Sequence, residues 1–370
     1  MPSSAERYLR EALRLAARGR YRTSPNPQVG AVLVRGDEVV GRGWHHQVGG
    51  PHAEVFALRE AGERAQGATL YVTLEPCAHH GRTPPCADAV LAAGVARVVA
   101  CHRDPNPWVG GQGFERLRQA GVEVVVGPLA AEAVRLNLAF LIAATLARPA
   151  VTLKWAMSLD GRIATATGES QWISSPAGRQ WALGLREEND AILVGIGTVL
   201  ADDPLLNRRL DLALGPGLRV VLDRRLRTPP TARLFTVPGP VVVYTESTDG
   251  ERRQALTERG ATVVPLSAVT PEAVLADLHE KGVKSLLVEG GAEVHGSFVA
   301  SGLYDRVGID CSPLLLGGRT APGPLGGEGF ATLAAAARLD DLTARRHGGD
   351  LLLTGYRKGC VEELLERVLG

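Results

Sequence analysis

From Ala5 to Gly19 the chain sets Leu9, Leu13 and Ala16 on one side and arginines on the other, the spacing of an amphipathic helix that Gly19 ends. Val29–Val34 and Glu38–Trp44 then read as strands flanking Arg35-Gly36-Asp37. They are followed by a helix over His52–Ala61, a strand over Thr69–Leu74, an apolar helical run over Ala87–Ala93 and a strand over Ala96–Ala100. Gly113–Ala120 predicts a helix, Val122–Val126 a strand, and Ala130–Ala147 a connecting helix that stops at Arg148-Pro149. A second series begins at Val151, with strand-like runs over Val151–Lys154, Ala191–Val194, Arg219–Leu222, Pro240–Tyr244, Thr262–Pro265, Ser285–Glu289 and Arg306–Cys311. Strands alternating with helices predict α/β layers, and the break at Arg148-Pro149 predicts two domains, 1–147 and 148–370. Neither an internal repeat nor a low-complexity segment interrupts the pattern; Gly323–Gly329 reads as a flexible Gly/Pro-rich loop.

Composition narrows the class. The chain has 370 residues, 45% of them apolar and 22% charged, an ordinary balance for a soluble globular protein with enough core to fold without disulfides. Its five cysteines show no pairing pattern, which suits a reducing compartment, and a cytoplasmic location is expected. No apolar run reaches the roughly 18 residues of a membrane span, and no signal-peptide core follows the first charges. Through Ala150 there are 17 basic and 13 acidic residues, afterwards 24 and 27, so neither half carries the electropositive footprint of a nucleic-acid binder.

The candidate chemistry of the first half lies in Pro51-His52-Ala53-Glu54, Glu75-Pro76-Cys77 and Cys86. One imidazole and two thiolates make three protein ligands, leaving tetrahedral zinc an open fourth position, as a catalytic site requires. His52 and Glu54 stand at the head of a helix led in by Pro51, so both side chains can face one cavity. Cys86 opens the next helix after Pro84-Pro85, where the helix dipole favours thiolate over thiol. Bound zinc lowers the pKa of its water from about 15.7 toward about 7, and Glu54 is placed to move protons from the water to a leaving amine. This arrangement predicts hydrolytic deamination of an amino-substituted heterocycle. A structural zinc clip closed by His79 or His80 is the competing reading, and it gives Glu54 no task.

In the second half, Ser285–Ser297 runs strand, glycine turn, helix, a form whose first helical amides can hold a phosphate. Its spacing is not G-x-G-x-x-G. The stretches Lys154–Arg162, Gly168–Ile173 and Gly195–Pro204 are polar and glycine-rich where strands end, as binding-site loops commonly are. Residue chemistry alone does not make this half a reductase.

Taken in order, His-Ala-Glu, Glu-Pro-Cys-Ala-His-His-Gly-Arg-Thr-Pro-Pro-Cys, Asp-Pro-Asn-Pro, Ser-Leu-Asp-Gly-Arg, Gly-Glu-Ser-Gln-Trp-Ile and Leu-Ala-Asp-Asp-Pro closely resemble the bifunctional deaminase/reductase family of riboflavin biosynthesis, RibD or RibG, over nearly the whole length. Nucleic-acid and cytidine deaminases usually show P-C-x-x-C, whereas eight residues separate Cys77 from Cys86 here. The resemblance implies a cytidine-deaminase-like α/β/α first domain and a dihydrofolate-reductase-like α/β second domain. The first would deaminate 2,5-diamino-6-(5-phosphoribosylamino)pyrimidin-4(3H)-one to 5-amino-6-(5-phosphoribosylamino)uracil. The second would reduce the ribosyl group to ribityl with NADPH, the cofactor bringing the hydride and the protein its position and electrostatics.

It also implies roles. His52, Cys77 and Cys86 would bind Zn2+, Glu54 would shuttle protons, and Asn26, His45, Arg82, Asp104 and Asn106 would contact the deaminase substrate. Ala156, Trp172, Thr198, Asp202 and the turn Gly291, Ala292, Glu293, Val294, His295, Gly296 and Ser297 would contact NADPH. Lys154, Ser170, Arg186, Leu206, Arg209 and Glu289 would contact the reductase substrate, with Arg186 and Arg209 clamping its phosphate through charge-assisted bonds. Two positions depart from the family: Ala78 and Arg224 stand where serine is common, and Arg224 is placed to approach the 2′-phosphate of NADPH. The partner expected is a small phosphoribosylated pyrimidine, with no nucleic acid and no membrane, and the assembly a homo-oligomer. The rival reading, a nucleic-acid deaminase with an unrelated second domain, requires aromatic stacking platforms in a basic groove, which the charge balance does not offer.

Overall fold

A computed structural model describes residues 4–79, 84–106, 110–210, 212 and 214–369. By contacts the chain divides into two compact units: residues up to Leu146 together with those from Val361 on, and Ala147–Cys360.

The first unit is a five-stranded sheet between two layers of helices. In chain order it contains α1 (Ser4–Ala16), β1 (Gly30–Arg35), β2 (Glu38–Trp44), α2 (Ala53–Ala61), β3 (Thr69–Val72), α3 (Cys86–Ala92), β4 (Arg97–Ala100), α4 (Gln112–Gln119), β5 (Glu123–Val126), α5 (Ala130–Leu136) and α6 (Leu138–Leu146). The strand order is β2-β1-β3-β4-β5; β1 runs antiparallel to both β2 and β3, and the rest are parallel. Period-two alternation along β1 divides the core. Ala31 and Leu33 face Ala53, Ala57, Ala87 and Val90 of α2 and α3, while Val32 and Val34 face Leu9, Ala12 and Leu15 of α1.

Close approach decides where α2 lies. A Cβ at Gly41 would collide with the carbonyl oxygen of Ala57, and one at Gly43 with that of Ala53. With glycine at both β2 positions the helix backbone rests directly on the strand, and His52 and Glu54 at the head of α2 are fixed relative to the sheet.

The second unit is a nine-stranded sheet. Its elements are β6 (Ala150–Ser158), α7 (Pro176–Glu188), β7 (Ala191–Gly195), α8 (Ile196–Asp202), β8 (Leu218–Leu222), β9 (Val241–Thr245), α9 (Gly250–Glu258), β10 (Ala261–Pro265), α10 (Pro271–Glu280), β11 (Ser285–Gly290), α11 (Ala292–Ser301), β12 (Arg306–Ser312), β13 (Leu339–His347) and β14 (Asp350–Arg357). The order is β10-β9-β8-β7-β11-β6-β12-β14-β13. The first seven are parallel, and the β13–β14 hairpin joins antiparallel to β12. The parallel strands β7 and β11 are almost wholly buried apolar runs, as helices on both faces of a sheet demand. Asp305, fully buried, accepts from both terminal nitrogens of Arg148 at 2.8 and 2.6 Å and from Val151 N at 2.8 Å, pinning the start of β6. Among the described residues no helix is long and apolar enough to cross a membrane.

Three features differ from the sequence pattern. The single helix expected over Ala130–Ala147 is two helices, because the buried Asn137 leaves the helical path to pair with Gln28. Its Oδ1 accepts from Gln28 N at 2.7 Å and its Nδ2 donates to Gln28 O at 2.9 Å. The β13–β14 hairpin was not expected, since β13 is mostly polar and exposed and carries no alternation to mark it. The last helix, α12 (Cys360–Leu369), groups from Val361 on with the first unit, although the sequence division assigned 361–370 to the second domain. Its amphipathic pattern predicts burial of Val361, Leu364 and Val368 but not the surface that receives them.

Replacing Gly43 with alanine is expected to lift α2 from β2 at a cost of about 1–3 kcal/mol. A lowered urea midpoint for the first unit, accompanied by reduced zinc content, checks this; an unchanged midpoint contradicts it.

Candidate active sites

In the first unit the metal-binding residues of the sequence pattern converge. His52 is the N-cap of α2 with extended backbone, Glu54 lies in the first helical turn, Cys77 sits in the loop after β3, and Cys86 is the first residue of α3. The His52 nitrogen and the Cys77 and Cys86 sulfurs all lie within 4.8 Å of one another, the one such group among the described residues. His52 Nδ1 stands 3.2 Å from Cys86 Sγ and 3.6 Å from Cys77 Sγ. A nitrogen and a sulfur sharing tetrahedral zinc at ordinary bond lengths are about 3.6 Å apart, so the donors have the spacing as well as the chemistry for zinc. His79 is exposed and outside the group, which removes it as the closing ligand of a structural clip. His80 and Arg82 lie outside the described residues.

The thiols are electrostatically distinct. Cys77 is pulled down, first by the hydrogen bond from Cys86 and, against burial, by His52 and the Cys86 backbone N–H, which donates to Cys77 Sγ at 3.3 Å. Cys86 is pushed up by that same thiol hydrogen bond and by burial. Glu54 is 3% exposed, and burial raises its carboxyl to about 7, partly opposed by His52. Its Oε2 is buried without a hydrogen-bond partner. An unpaired buried carboxyl oxygen is costly, and here it stands beside the three donors.

Beside this group lie Asn26 and His45. His45 Nδ1 meets Pro51 O at 3.0 Å, Asn26 Nδ2 meets His45 Nε2 at 3.2 Å, and the His45 ring stands edge-on to His52 at 5.5 Å between centroids. Burial lowers the His45 pKa. A neutral ring donating from Nδ1 and accepting at Nε2 satisfies both contacts. Asp104 accepts from Asn106 N at 2.8 Å, and burial raises its carboxyl, with Glu75 and Cys77 adding to the rise.

In the second unit a cleft of about 1520 Å³ opens at the carboxyl ends of β7, β8 and β11 and beside β6, and every site residue anticipated for this half lines it. One wall is the turn at Gly291, the N-cap of α11 with φ of 76°, followed by Ala292–Ser297. The His295 ring is buried, with Nε2 3.2 Å from Val288 O and its centre 5.4 Å from that of the Trp155 ring. The glycine loop packs across this turn, Gly326 N donating to Ala292 O at 2.8 Å, and a Cβ at Gly296 would collide with Gly326. Thr198 and Asp202 come from α8 and Ala156 from β6, while Trp172 is 67% exposed with the Arg179 guanidinium 4.8 Å from its ring centre.

At the polar end of the cleft, Arg186 and Arg209 are engaged in different ways. Arg186 gives its fork to Glu289, Nε to Oε1 at 2.7 Å and Nη2 to Oε2 at 2.6 Å, and donates through Nη1 to Asn207 O at 3.3 Å. Arg209 donates through Nε to Asn207 Oδ1 at 2.9 Å and through its backbone N to Glu187 Oε1 at 2.9 Å, and it lines the cleft. Burial acts to raise Glu289, but Arg186, then Lys154 and Arg209, outweigh it and hold the carboxylate at about 2. Burial lowers the Lys154 ammonium, with Glu289 opposing.

Sequence reasoning missed several residues. Arg179, Arg225, Arg227 and Arg233 also line the cleft, beside the anticipated Arg224, whose Nε is 3.4 Å from the Glu246 carboxylate. The basic run Arg224–Arg227 immediately after β8 was the available signal. Glu75, quoted within its motif, received no role.

Comparison with known proteins agrees with this geometry. Residues 2–102 match the cytidine and deoxycytidylate deaminase zinc-binding region, and residues 149–353 match the RibD C-terminal domain. The riboflavin biosynthesis protein RibD of Bacillus amyloliquefaciens is 44% identical over 358 residues, covering 95% of this chain and 96% of its own. Among solved structures, Acinetobacter baumannii RibD superposes with a TM-score of 0.85 at 41% identity, over 96% of this chain and 99% of its own. The Thermotoga maritima diaminohydroxyphosphoribosylaminopyrimidine deaminase/5-amino-6-(5-phosphoribosylamino)uracil reductase gives 0.82 at 35%, over 95% and 98%. The similarity runs through both units, which disfavours a nucleic-acid deaminase carrying an unrelated second domain. With a cytidine-deaminase-like unit around a zinc-type donor set and a dihydrofolate-reductase-like unit around a cleft, the chain belongs to the RibD family of bifunctional deaminase/reductase enzymes of riboflavin biosynthesis.

Proposed function

We propose that the first unit deaminates 2,5-diamino-6-(5-phosphoribosylamino)pyrimidin-4(3H)-one and that the second reduces the ribosyl group of the resulting 5-amino-6-(5-phosphoribosylamino)uracil to ribityl with NADPH. The observation that carries the first step is the buried, unpartnered Glu54 Oε2 beside the His52, Cys77 and Cys86 donors. Zinc held by those three residues supplies the Lewis acidity that makes water a nucleophile near neutral pH. Glu54 accepts a proton from the attacking water as the C–O bond forms and returns one to the exocyclic nitrogen as the C–N bond breaks, so that water enters and ammonia leaves. Asn26 and His45 orient the ring, Asp104 and Asn106 face it from the other side, and Arg82 is assigned to the phosphate by motif.

For the second step, the glycine turn at Gly291 presents backbone N–H groups suited to a pyrophosphate, and the cleft has room for dinucleotide and substrate together. NADPH supplies the hydride. Ala156, Trp172, Thr198, Asp202 and the Gly291–Ser297 turn hold it, with Arg224 placed for its 2′-phosphate. Lys154, Ser170 and Leu206 line the substrate end. Arg209 meets the substrate phosphate, while Arg186 and Glu289 form a rigid ion pair that fixes the charge around Lys154. Action in the cytoplasm belongs to this reading, five cysteines without a pairing pattern in the sequence suiting a reducing compartment. Assembly as a homo-oligomer belongs to the same reading, and a monomeric mass by light scattering would remove it.

Glu54→Gln is expected to lower deamination by at least about 100-fold, the low end of general acid–base contributions, while zinc content and reduction of the pre-deaminated substrate stay at the level of the unaltered enzyme. Ammonia release, metal analysis and NADPH oxidation check the three readouts. Deamination undiminished in this variant would sink the assignment. Arg209→Ala is expected to raise the reductase KM by roughly 10- to 100-fold, the equivalent of one charge-assisted hydrogen bond of about 1.5–3 kcal/mol, with kcat little changed. An unchanged KM removes Arg209 from the phosphate site. Turnover with NADH equal to that with NADPH removes the cofactor assignment alone.

A further inference from the structure

Glu75 is 5% exposed and lies two residues before Cys77, yet nothing in the deaminase chemistry uses it. Its carboxylate accepts four backbone N–H groups. Oε2 takes those of Asp104 at 2.9 Å and Gly111 at 2.8 Å, and Oε1 takes those of Gly113 at 2.8 Å and Phe114 at 3.1 Å. The segments 104–106 and 110–114 are thus tied to one side chain. Packing reinforces the tie: a Cβ at Gly113 would collide with Pro76 O, and one at Gly110 with Asp104 O. Gly110 N further donates to Asn106 O at 2.7 Å.

A cap for α4 alone would need only the Gly111, Gly113 and Phe114 bonds. The bond to Asp104 N is the one that reaches the active site, because Asp104 in turn accepts from Asn106 N. Three consecutive residues, Glu75-Pro76-Cys77, therefore carry both a metal donor and the anchor of the loop that faces it.

We infer that Glu75 is a positioning residue for deamination, setting the distance between the substrate-facing Asp104–Asn106 segment and the metal donors; this rests on the reading that Asp104 and Asn106 contact the substrate. Glutamine is the informative replacement. It keeps the shape, but its NH2 group confronts two of the four N–H donors, so one pair of bonds is lost whichever way the amide turns.

In the full-length enzyme, Glu75→Gln is expected to raise the deaminase KM by at least about ten-fold, the loss of one such bond. Its kcat should fall by less than that, zinc should remain at one per chain, and reduction of the pre-deaminated substrate should be unchanged. Glu75→Asp, which keeps the charge and withdraws it by one methylene, should recover part of the KM. If the glutamine variant does not accumulate, the aspartate variant is held to the same split between KM and kcat. An unchanged KM overturns the inference, and so does loss of zinc or a fall in kcat at constant KM, either of which would make Glu75 a support for the metal site. Asn106→Ala, measured alongside, separates the two layers. If it leaves KM unaltered, the substrate-contact reading fails; if it raises KM while Glu75→Gln does not, only the positioning role fails.

Discussion

Backbone contact between α2 and β2, possible only because positions 41 and 43 lack side chains, is the constraint on which the deaminase centre rests. A helix carried farther from the sheet by one methyl group would take His52 and Glu54 with it, while Cys77 and Cys86 arrive from a different strand and helix. Three donors within 4.8 Å leave little room for such a shift. The same economy appears on the opposite side of the site, where Gly113 lets α4 start against Pro76 and Glu75 gathers four backbone N–H groups. The centre is thus held by backbone packing and by backbone hydrogen bonds to a single carboxylate, while Glu54 keeps its Oε2 without a hydrogen-bond partner.

The reductase cleft is organised by charge. Glu289 is ionised in a buried setting because Arg186 pairs with it through two hydrogen bonds, and a pair with this geometry offsets its own desolvation better than one with a single contact. Lys154 sits under the influence of both partners. Arg186 therefore shapes the field within the cleft, and Arg209, whose Nε donates to Asn207 Oδ1, lines the cleft beside this pair.

Elements whose residues alternate or recur with a clear period were legible from sequence. Apart from the β13–β14 hairpin, the strands of both sheets and the helix bearing His52 follow local hydrophobic spacing, and tertiary packing did not override it. Asn137 broke the expected helix because its amide finds a better partner in the backbone of Gln28, more than 100 residues away. The β13–β14 hairpin was invisible because an exposed edge strand needs no apolar face. The amphipathic α12 is visible as a helix, but its grouping with the first unit depends on a surface that no local pattern names.

By itself the sequence determined the donor set. Histidine, two cysteines and a nearby glutamate are chemical identities, and an eight-residue interval between the cysteines is a property of the chain. It also determined the alternation of strands and helices, because burial of periodic apolar residues is a local requirement. Only the tertiary structure decided that Arg186 spends its fork on Glu289 and that Glu75 gathers backbone N–H groups up to 39 residues beyond it. Each of these is a hydrogen bond between segments distant in sequence, whose formation depends on which polar groups burial leaves facing one another.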